Sequence, residues 1–267
     1  MKKTEFISSA QNPKIKRLQL LQQKSAERRK AGLFVVEGRR ELQHCMDTGF
    51  EIESVFCCQQ IGALPQSEAC GADVFSISPA IYEKIAYRGS TEGVVAVVRA
   101  RETTLSDLKL GENPLVMVLE SVEKPGNIGA VLRSADAAGV DAVIVCDSLT
   151  DMYNPNLIRS SVGAVFSIPT VACSSQQCIE WLREQGIRIL TAQLQDSSLY
   201  YDIPMLGPTA IVMGTEATGL TDLWRQVADA HIRIPMLGRL DSLNVSVSAA
   251  ILLYEAVRQR CGRQQNR

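Results

Sequence analysis

The most informative part of the chain reads His231-Ile-Arg-Ile-Pro-Met-Leu-Gly-Arg-Leu-Asp-Ser-Leu-Asn-Val-Ser-Val-Ser-Ala-Ala250. Ile232 and Ile234 predict a short apolar strand, which ends at Pro235 and continues into a loop that contains a glycine. Residues 242–246 then form a turn of small polar side chains that opens an apolar helix. Free backbone N–H and C=O groups at such a turn can hold a ligand, so this stretch is a candidate binding site.

Two polar turns upstream have the same layout. The first reads Glu123-Lys-Pro-Gly-Asn-Ile-Gly-Ala-Val-Leu-Arg133-Ser, where we expect Asn127 to cap a helix that also carries Arg133. The second reads Ile211-Val-Met-Gly-Thr-Glu-Ala-Thr-Gly-Leu220, where an apolar strand ends at Gly214 and Glu216 follows in a loop. All three turns fall between a strand and a helix, so we expect them to share one edge of a sheet and to form one composite site.

Strands and helices alternate along most of the chain, which predicts an α/β fold. In the C-terminal part the predicted strands are 115–119, 142–146, 187–192, 210–213 and 231–234, and the predicted helices are 128–138, 156–161, 176–185, 220–227 and 245–258. Their nearly continuous apolar strands favour a parallel sheet that is covered on both faces. A polar segment without periodicity divides the chain into a domain at 1–100, a linker at 101–113 and a larger domain at 114–267.

Charge is distributed unevenly along a chain whose net charge is only −1. The first 45 residues are strongly basic and the remainder is acidic, which predicts an anionic partner at the N-terminal end. A solvated amphipathic helix would explain the same pattern. The candidate contacts to such a partner are Lys14, Arg17, Arg28, Arg29 and Arg39.

The cysteine and histidine contents argue against several kinds of site. Eight cysteines form no CxxC pair, and with only two histidines no metal site is predicted. Several cysteines fall in apolar runs, where Cys packs as a small hydrophobic residue. No segment has the length of a membrane span or of a signal-peptide apolar region, so we expect a cytoplasmic protein with reduced thiols and no membrane partner.

The three turns together resemble the three motifs of the SpoU (TrmH-like) branch of the SPOUT RNA methyltransferases. The resemblance covers about residues 115–258 and rests on Pro125-Gly-Asn-Ile-Gly-Ala with Arg133, on Met213-Gly-Thr-Glu-Ala-Thr-Gly-Leu220, and on Ile234-Pro-Met with Ser242-Leu-Asn-Val-Ser246. Residues 8–98 are similar to the substrate-binding domain that precedes the catalytic domain in many members of this family.

This resemblance implies a C-terminal α/β-knot domain with a deep trefoil knot, preceded by a smaller α/β domain of the ribosomal-protein L30e type. It implies a homodimer that forms through the knotted region. It further implies S-adenosylmethionine as the methyl donor and a ribose 2′-hydroxyl of RNA as the acceptor, with rRNA favoured over tRNA because members with the extra domain usually act on large-subunit rRNA.

The resemblance also assigns roles to individual residues. Asn127 and Arg133 would face the RNA ribose and phosphate, while Glu216, Ser242 and Asn244 would order the catalytic pocket. The cofactor would lie among the residues Gly214, Gly219, Ile234, Met236, Leu243 and Asn244. A guanidinium with a pKa above about 12 is a poor proton acceptor. We therefore expect Arg133 to hold a phosphate and to stabilise the developing alkoxide rather than to act as the base.

Alternatives to the rRNA methyltransferase hypothesis stay open at this point. They are a tRNA 2′-O-methyltransferase, a catalytically inactive protein that binds rRNA or the ribosome, and a Rossmann-like oxidoreductase. The joint presence of the five catalytic candidates argues against an inactive protein. The lack of a G-x-G-x-x-G pattern argues against the oxidoreductase.

Overall fold

The computed structural model describes residues 5–62, 71–86, 92–148 and 150–261. The chain folds into two compact units, of which the first comprises Met1–Arg101 with Asp151–Phe166 and the second comprises Glu102–Thr150 with Ser167–Arg267. The polar segment 102–113 therefore groups with the second unit. Residues 151–166, which the sequence places in the C-terminal domain, group with the first unit instead.

Strands and helices alternate through both units. In chain order the strands are β1 (Glu5–Ile7), β2 (Leu33–Glu37), β3 (Ile52–Cys57), β4 (Asp73–Ile77), β5 (Val94–Arg99), β6 (Leu115–Glu120), β7 (Ala142–Cys146), β8 (Thr170–Cys173), β9 (Arg188–Ala192), β10 (Ser198–Leu199), β11 (Thr209–Met213) and β12 (Ala230–Arg233). The helices are α1 (Pro13–Gln23), α2 (Ser25–Ala31), α3 (Arg39–Asp47), α4 (Pro79–Ile85), α5 (Pro125–Ala137), α6 (Pro155–Ser161), α7 (Ala164–Ser167), α8 (Ser175–Glu184), α9 (Asp222–Val227) and α10 (Val245–Cys261).

The first unit is built on a five-stranded mixed sheet in the order β1-β4-β3-β5-β2. Strand β5 runs antiparallel to both of its neighbours, whereas β4 is parallel to β1 and β3. Helix α1 starts where the side chain of Asn12 accepts a hydrogen bond from the Lys14 N–H and Pro13 takes the first helical position. Its buried face, which includes Ile15 and Leu18, joins the core of this unit.

Residues 151–166 complete the first unit by packing on β2. Phe34 of β2 is fully buried, and its ring stacks on Tyr153 with centroids 4.2 Å apart and on Phe166 with centroids 5.8 Å apart. Arg28 is only 4% exposed, and its Nε donates to Asp151 Oδ2 at 2.5 Å. The segment therefore supplies both apolar contacts and the counter-ion of a buried arginine.

The second unit is a seven-stranded sheet in the order β10-β12-β9-β11-β6-β7-β8, and every strand pair in it is parallel. Helices α8 and α9 pack on one face, where Leu182 and Trp224 are fully buried in a cluster with alternate strand residues. The strand residues that point to the opposite face of the sheet, such as Met117 and Val143, are equally buried. Helix α10 packs on α5 and β11 and buries Leu253. The sheet is thus covered on both faces, as the sequence predicted.

The α/β fold class and the parallel C-terminal sheet are confirmed. The predicted C-terminal strands are present with bounds that agree within one residue, but β8 and β10 were missed because both are short. The trefoil knot stays a prediction.

Among the described residues, no helix combines the length and the apolar composition that crossing a membrane requires.

The buried ion pair of the first unit predicts a stability effect. We expect Asp151→Ala to lower the free energy of unfolding by about 3 kcal/mol, because the Arg28 charge stays buried without its partner. Urea unfolding followed by circular dichroism measures the change. The control is Glu5→Ala, which removes the partner of half-exposed Lys14 and should cost less than about 1 kcal/mol. Equal losses in the two variants would contradict a special role for the buried pair.

Candidate active site

A cavity of about 370 Å³ lies at the carboxyl ends of β9, β11 and β12, which are neighbours in the sheet of the second unit. Open α/β sheets bind ligands at this edge. The loops after the three strands and the start of α10 form its walls, and Leu220, Ile232 and Leu252 give it an apolar side.

Most of the predicted pocket residues border this cavity. Its lining includes Gly214, Glu216, Gly219, Ile234, Met236, Ser242 and Leu243. Asn244, Asn127 and Arg133 are not among the lining residues. Two of the three predicted turns therefore meet at the cavity, and the third reaches it only through hydrogen bonds.

The loop after β11 folds back tightly on the end of that strand. Thr215 and Gly219 pair through reciprocal backbone hydrogen bonds of 3.2 and 3.1 Å, and Gly219 has a φ of +70°. A Cβ on Gly214 would overlap the backbone of Gly219 and Leu220. Gly214 is therefore required by the close approach of the turn. The helix predicted over residues 220–227 begins two residues later than expected, at Asp222.

Glu216, at the tip of this turn, is the centre of a polar cluster. Its Oε2 lies 3.1 Å from Lys124 Nζ, and its Oε1 accepts hydrogen bonds from Asn127 Nδ2 at 3.0 Å and from Asn244 Nδ2 at 2.8 Å. The Asn244 amide also donates to Asn127 Oδ1 at 3.3 Å. This cluster connects the first turn of α5, the cavity rim and the start of α10.

The environment of Glu216 favours its charged form. The hydrogen bond from Lys124 lowers the pKa of the Glu216 carboxyl, and further hydrogen bonds from the Val245 backbone and Asn127 act in the same direction. With both oxygens already engaged, Glu216 is arranged to hold neighbouring groups rather than to accept a proton.

Asn244 joins this cluster to α10. Its Oδ1 accepts hydrogen bonds from the Ser246 N–H at 3.0 Å and from Ser246 Oγ at 2.6 Å, so it caps the helix while its amide donates to Glu216. The prediction that Asn127 caps α5 is wrong. That helix already begins at Pro125, which leaves the Asn127 side chain free to bind Glu216.

Arg133 lies on α5, in the same helix as Asn127. Its side chain is exposed and has no hydrogen-bond or ion-pair partner within the part of the chain that the structure describes. Ser242 is also exposed, and its Oγ donates to Asp241 Oδ1 at 3.2 Å. Both side chains are accessible to a substrate.

Two polar side chains of the cavity are not among the residues predicted from the sequence. Gln193, after β9, donates its Nε2 to the Gln195 carbonyl at 2.9 Å, while its buried Oε1 has no hydrogen-bond partner among the described residues. Arg225, on α9, has one terminal nitrogen 3.7 Å from Asp222 Oδ1, and its buried Nε has no partner in the described part of the chain. Buried polar atoms left unpaired cost free energy, so a ligand that supplied partners for these two atoms would be stabilised in the cavity. The carboxyl-end rule applied to β9 would have indicated Gln193.

The predicted basic contacts of the first unit are in different environments. Lys14 pairs with Glu5, Arg17 pairs with Glu53, and Arg39 Nε donates to the Glu92 carbonyl. Arg29 is exposed and has no partner among the described residues. The structure contradicts the prediction for Arg28, because its guanidinium is buried on Asp151 and on the carbonyls of Leu21 and Gln22.

Known proteins match nearly the whole chain. The model of the SpoU rRNA Methylase family matches residues 114–254, and that of the MRM3-like substrate binding domain matches residues 12–96. The 23S rRNA (uridine(2479)-2′-O)-methyltransferase of Streptomyces viridochromogenes is 30% identical, and the alignment covers 94% of this chain and 92% of that relative. The 23S rRNA (guanosine-2′-O-)-methyltransferase RlmB of Vibrio parahaemolyticus is 36% identical over 72% of this chain and 81% of RlmB.

A solved structure shares the fold. The crystal structure of an AdoMet-bound rRNA methyltransferase from Sinorhizobium meliloti superposes with a TM-score of 0.87 at 29% identity, covering 96% of this chain and 98% of that one.

The Glu216 cluster predicts a measurable pKa change. We expect Lys124→Met to raise the pKa of Glu216 towards its usual range, because the variant removes the strongest hydrogen bond to the carboxylate. Carboxyl NMR shifts recorded against pH measure the change, with exposed Lys109→Met as the control. The folded-state pKa is lowered, so the stabilisation by Glu216 is present above the usual glutamate range and is lost as pH falls through the lowered value. An unchanged pKa in Lys124→Met would contradict the assigned ion pair.

Proposed function

We infer that this chain, which belongs to the SpoU rRNA methylase family, transfers a methyl group from S-adenosylmethionine to a ribose 2′-hydroxyl of 23S rRNA. The observation that carries this inference is the Glu216 cluster, which joins the cavity rim to the helix that bears Arg133. One of the two relatives is named for a uridine and the other for a guanosine, so the family accepts more than one base beside the ribose.

The residues of the cavity fit the cofactor. The apolar side, with Leu220, Ile232 and Leu252, suits the adenine, while exposed backbone at the strand ends suits the ribose. Gln193 Oε1 needs a hydrogen-bond donor and Arg225 Nε needs an acceptor, and S-adenosylmethionine carries both kinds of group. We propose that Arg225 binds the carboxylate, because this is the one anionic group of that molecule.

The cofactor supplies an electrophilic methyl group on a sulfonium, so no metal is needed to activate the donor. The protein has to place the 2′-hydroxyl in line with the departing sulfur, and such positioning within about 3–3.5 Å accounts for much of the rate. We propose that Arg133, which has no partner in the described ranges of the chain, binds the RNA phosphate with its planar fork and stabilises the developing alkoxide.

The proton acceptor is proposed to be an RNA phosphate or a water molecule. Arg133 is excluded because a guanidinium stays protonated in proteins, and Glu216 is a poor base because its two oxygens are bound by Lys124, Asn127 and Asn244. Glu216 and Asn244 therefore act as positioning residues, which hold the cavity rim against α5 and α10. We propose that exposed Ser242 lies beside the reacting groups, at the edge of the cavity.

We propose that the first unit binds the RNA. The match of residues 12–96 to a substrate-binding domain supports this proposal. Exposed Arg29 is the best placed of the basic candidates, since Lys14, Arg17 and Arg39 already have partners within the protein. An acceptor in ribosomal RNA supports a cytoplasmic location.

We further propose a homodimer formed through the second unit. The loop before α10 exposes Leu237 at 98% and Leu240 at 75%, and α10 itself exposes Val247 and Tyr254 at 48% and 50%. Apolar side chains gathered on one segment are typical of a protein interface. Sedimentation velocity measures the oligomeric state directly.

The alternatives are weaker. An inactive ribosome-binding protein would have no use for a cavity in which Gln193 Oε1 and Arg225 Nε lack partners among the described residues. A tRNA substrate is disfavoured by the two relatives, both named for 23S rRNA. Methyl transfer into bulk rRNA and tRNA separates these hypotheses.

The role of Arg225 predicts a selective loss of affinity. We expect Arg225→Met to weaken the binding of S-adenosylhomocysteine roughly tenfold, since it removes a charge-assisted hydrogen bond. It should leave the binding of 5′-methylthioadenosine unchanged, because that molecule lacks the carboxylate. Calorimetric titration measures both affinities, with surface Arg183→Met as the control. Equal losses for the two ligands would show that Arg225 shapes the cavity instead.

The role of Arg133 predicts a loss of catalytic rate. We expect Arg133→Lys to slow the transfer of tritiated methyl groups into 23S rRNA roughly tenfold to a hundredfold, because lysine keeps the charge but loses the bidentate fork. Cofactor affinity should stay unchanged, since Arg133 does not line the cavity. Arg183→Lys serves as the control. A variant with the wild-type rate would rule out the bidentate clamp.

A further inference from the structure

Three cysteines that are far apart in sequence meet in the second unit. Cys146 is the last residue of β7, Cys173 is the last residue of β8, and these two are direct partners in the register of the parallel pair. Cys178 lies on the buried side of α8, which packs against β7 and β9. The three Sγ atoms all lie within 4.8 Å of one another.

We propose that Cys146, Cys173 and Cys178 form a three-thiolate site for a thiophilic d¹⁰ metal ion, either Zn²⁺ or Cu⁺. Thiolates bound at about 2.3 Å from such an ion are about 4 Å apart, so small side-chain movements suffice to bring the three sulfurs into a coordination shell. Soft sulfur ligands select these ions over Mg²⁺ or Ca²⁺. The linear sequence predicted no metal site, because two strands and a helix are needed to bring the three residues together.

The access to the site suits a bound ion. Cys146 and Cys178 are fully buried, whereas Cys173 is only partly buried and connects the trio to solvent. Within the part of the chain that the structure describes, no histidine or carboxylate belongs to the trio. A Zn²⁺ ion would therefore take a water molecule as its fourth ligand at the Cys173 side, while Cu⁺ can be bound by the three thiolates alone.

The surroundings hold the ligands in place. Both carboxylate oxygens of Asp147 accept hydrogen bonds from the Ser175 N–H, at 3.3 and 3.2 Å, and the Asp147 N–H donates to the Cys173 carbonyl at 3.0 Å. The Trp224 indole N–H donates to Ser175 Oγ at 2.9 Å. These bonds fix the start of α8 relative to the two strand ends, so the metal would join elements that are already aligned.

The proposed site is separate from the methyl-transfer site. The cavity borders β9, β11 and β12, and β6 intervenes in the sheet between β11 and the Cys146-bearing strand β7. The ion would thus have a structural role. It would hold β7, β8 and α8 together at the end of the sheet that β8 forms. Because each thiol must lose its proton to bind, metal binding releases protons and weakens at low pH.

Metal titration of the full-length, reduced and chelator-treated protein tests the proposal. Zn²⁺ is titrated in competition with a colorimetric chelator and Cu⁺ in competition with bathocuproine, which distinguishes the two ions. We expect one tightly bound ion per chain, with proton release, in the wild type and in the control Cys261→Ser, which removes an exposed thiol at the end of α10. The ion should raise the melting temperature by about 5 °C.

Two variants remove single ligands. Cys173→Ser and Cys178→Ala should each weaken the metal affinity at least about a hundredfold and abolish the rise in melting temperature. Partly exposed Cys173 tolerates substitution best, and unchanged binding of S-adenosylhomocysteine by Cys173→Ser shows that the unit is folded. If the wild type bound neither ion more tightly than Cys173→Ser, the trio would be three packed thiols and the proposal would be overturned.

Discussion

The parallel sheet of the second unit is the constraint on which the rest of the molecule depends. Parallel strands need a crossover between each pair, so every carboxyl end falls on the same edge and every loop after a strand starts there. The cavity, the Glu216 cluster and the cysteine trio all lie at this edge. Asn127 and Glu216 are about ninety residues apart in sequence. Their side chains meet because each follows a strand whose carboxyl end lies at this edge.

Hydrogen bonds then turn this shared edge into a defined site. Asn244 caps α10 with its carbonyl oxygen and binds Glu216 with its amide, so the start of the helix and the cavity rim depend on the same side chain. Asn127 connects the rim to α5 in the same way. The rim is therefore held by side chains from two helices, while Gln193 Oε1 and Arg225 Nε inside the cavity have no partner among the residues that the structure describes. Such an arrangement suits a pocket that binds S-adenosylmethionine next to a much larger RNA substrate.

Much of the fold follows from local patterns in the sequence. The strongly apolar strands, such as β6 and β7, are recognisable because both of their faces are buried. The short strands β8 and β10 carry no comparable signal, because pairing with neighbours rather than composition makes them strands. Helix starts were predicted less well, as Asn127 illustrates: its side chain binds across the site instead of capping its own helix.

The site residues also differ in whether their position could be predicted from the sequence. The lining of the cavity by Gly214 and Leu243 could be predicted because motif and sheet edge coincide. The burial of Arg28 could not, because its partner Asp151 is 123 residues away in sequence. A charged residue in a basic helix looks like a surface group until the distant carboxylate is known. For the same reason, no spacing in the sequence indicated the contact between Cys146 and Cys178.

The return of residues 151–166 to the first unit bears on how the protein is made. As the chain emerges from the ribosome, the N-terminal hundred residues appear first, yet Phe34 lacks its stacking partners and Arg28 lacks its counter-ion until residue 166 has been synthesised. The core that residues 7–97 build is therefore available before these contacts are. We expect the aromatic stack and the buried ion pair to form only after β6, α5 and β7, which belong to the second unit, have been synthesised.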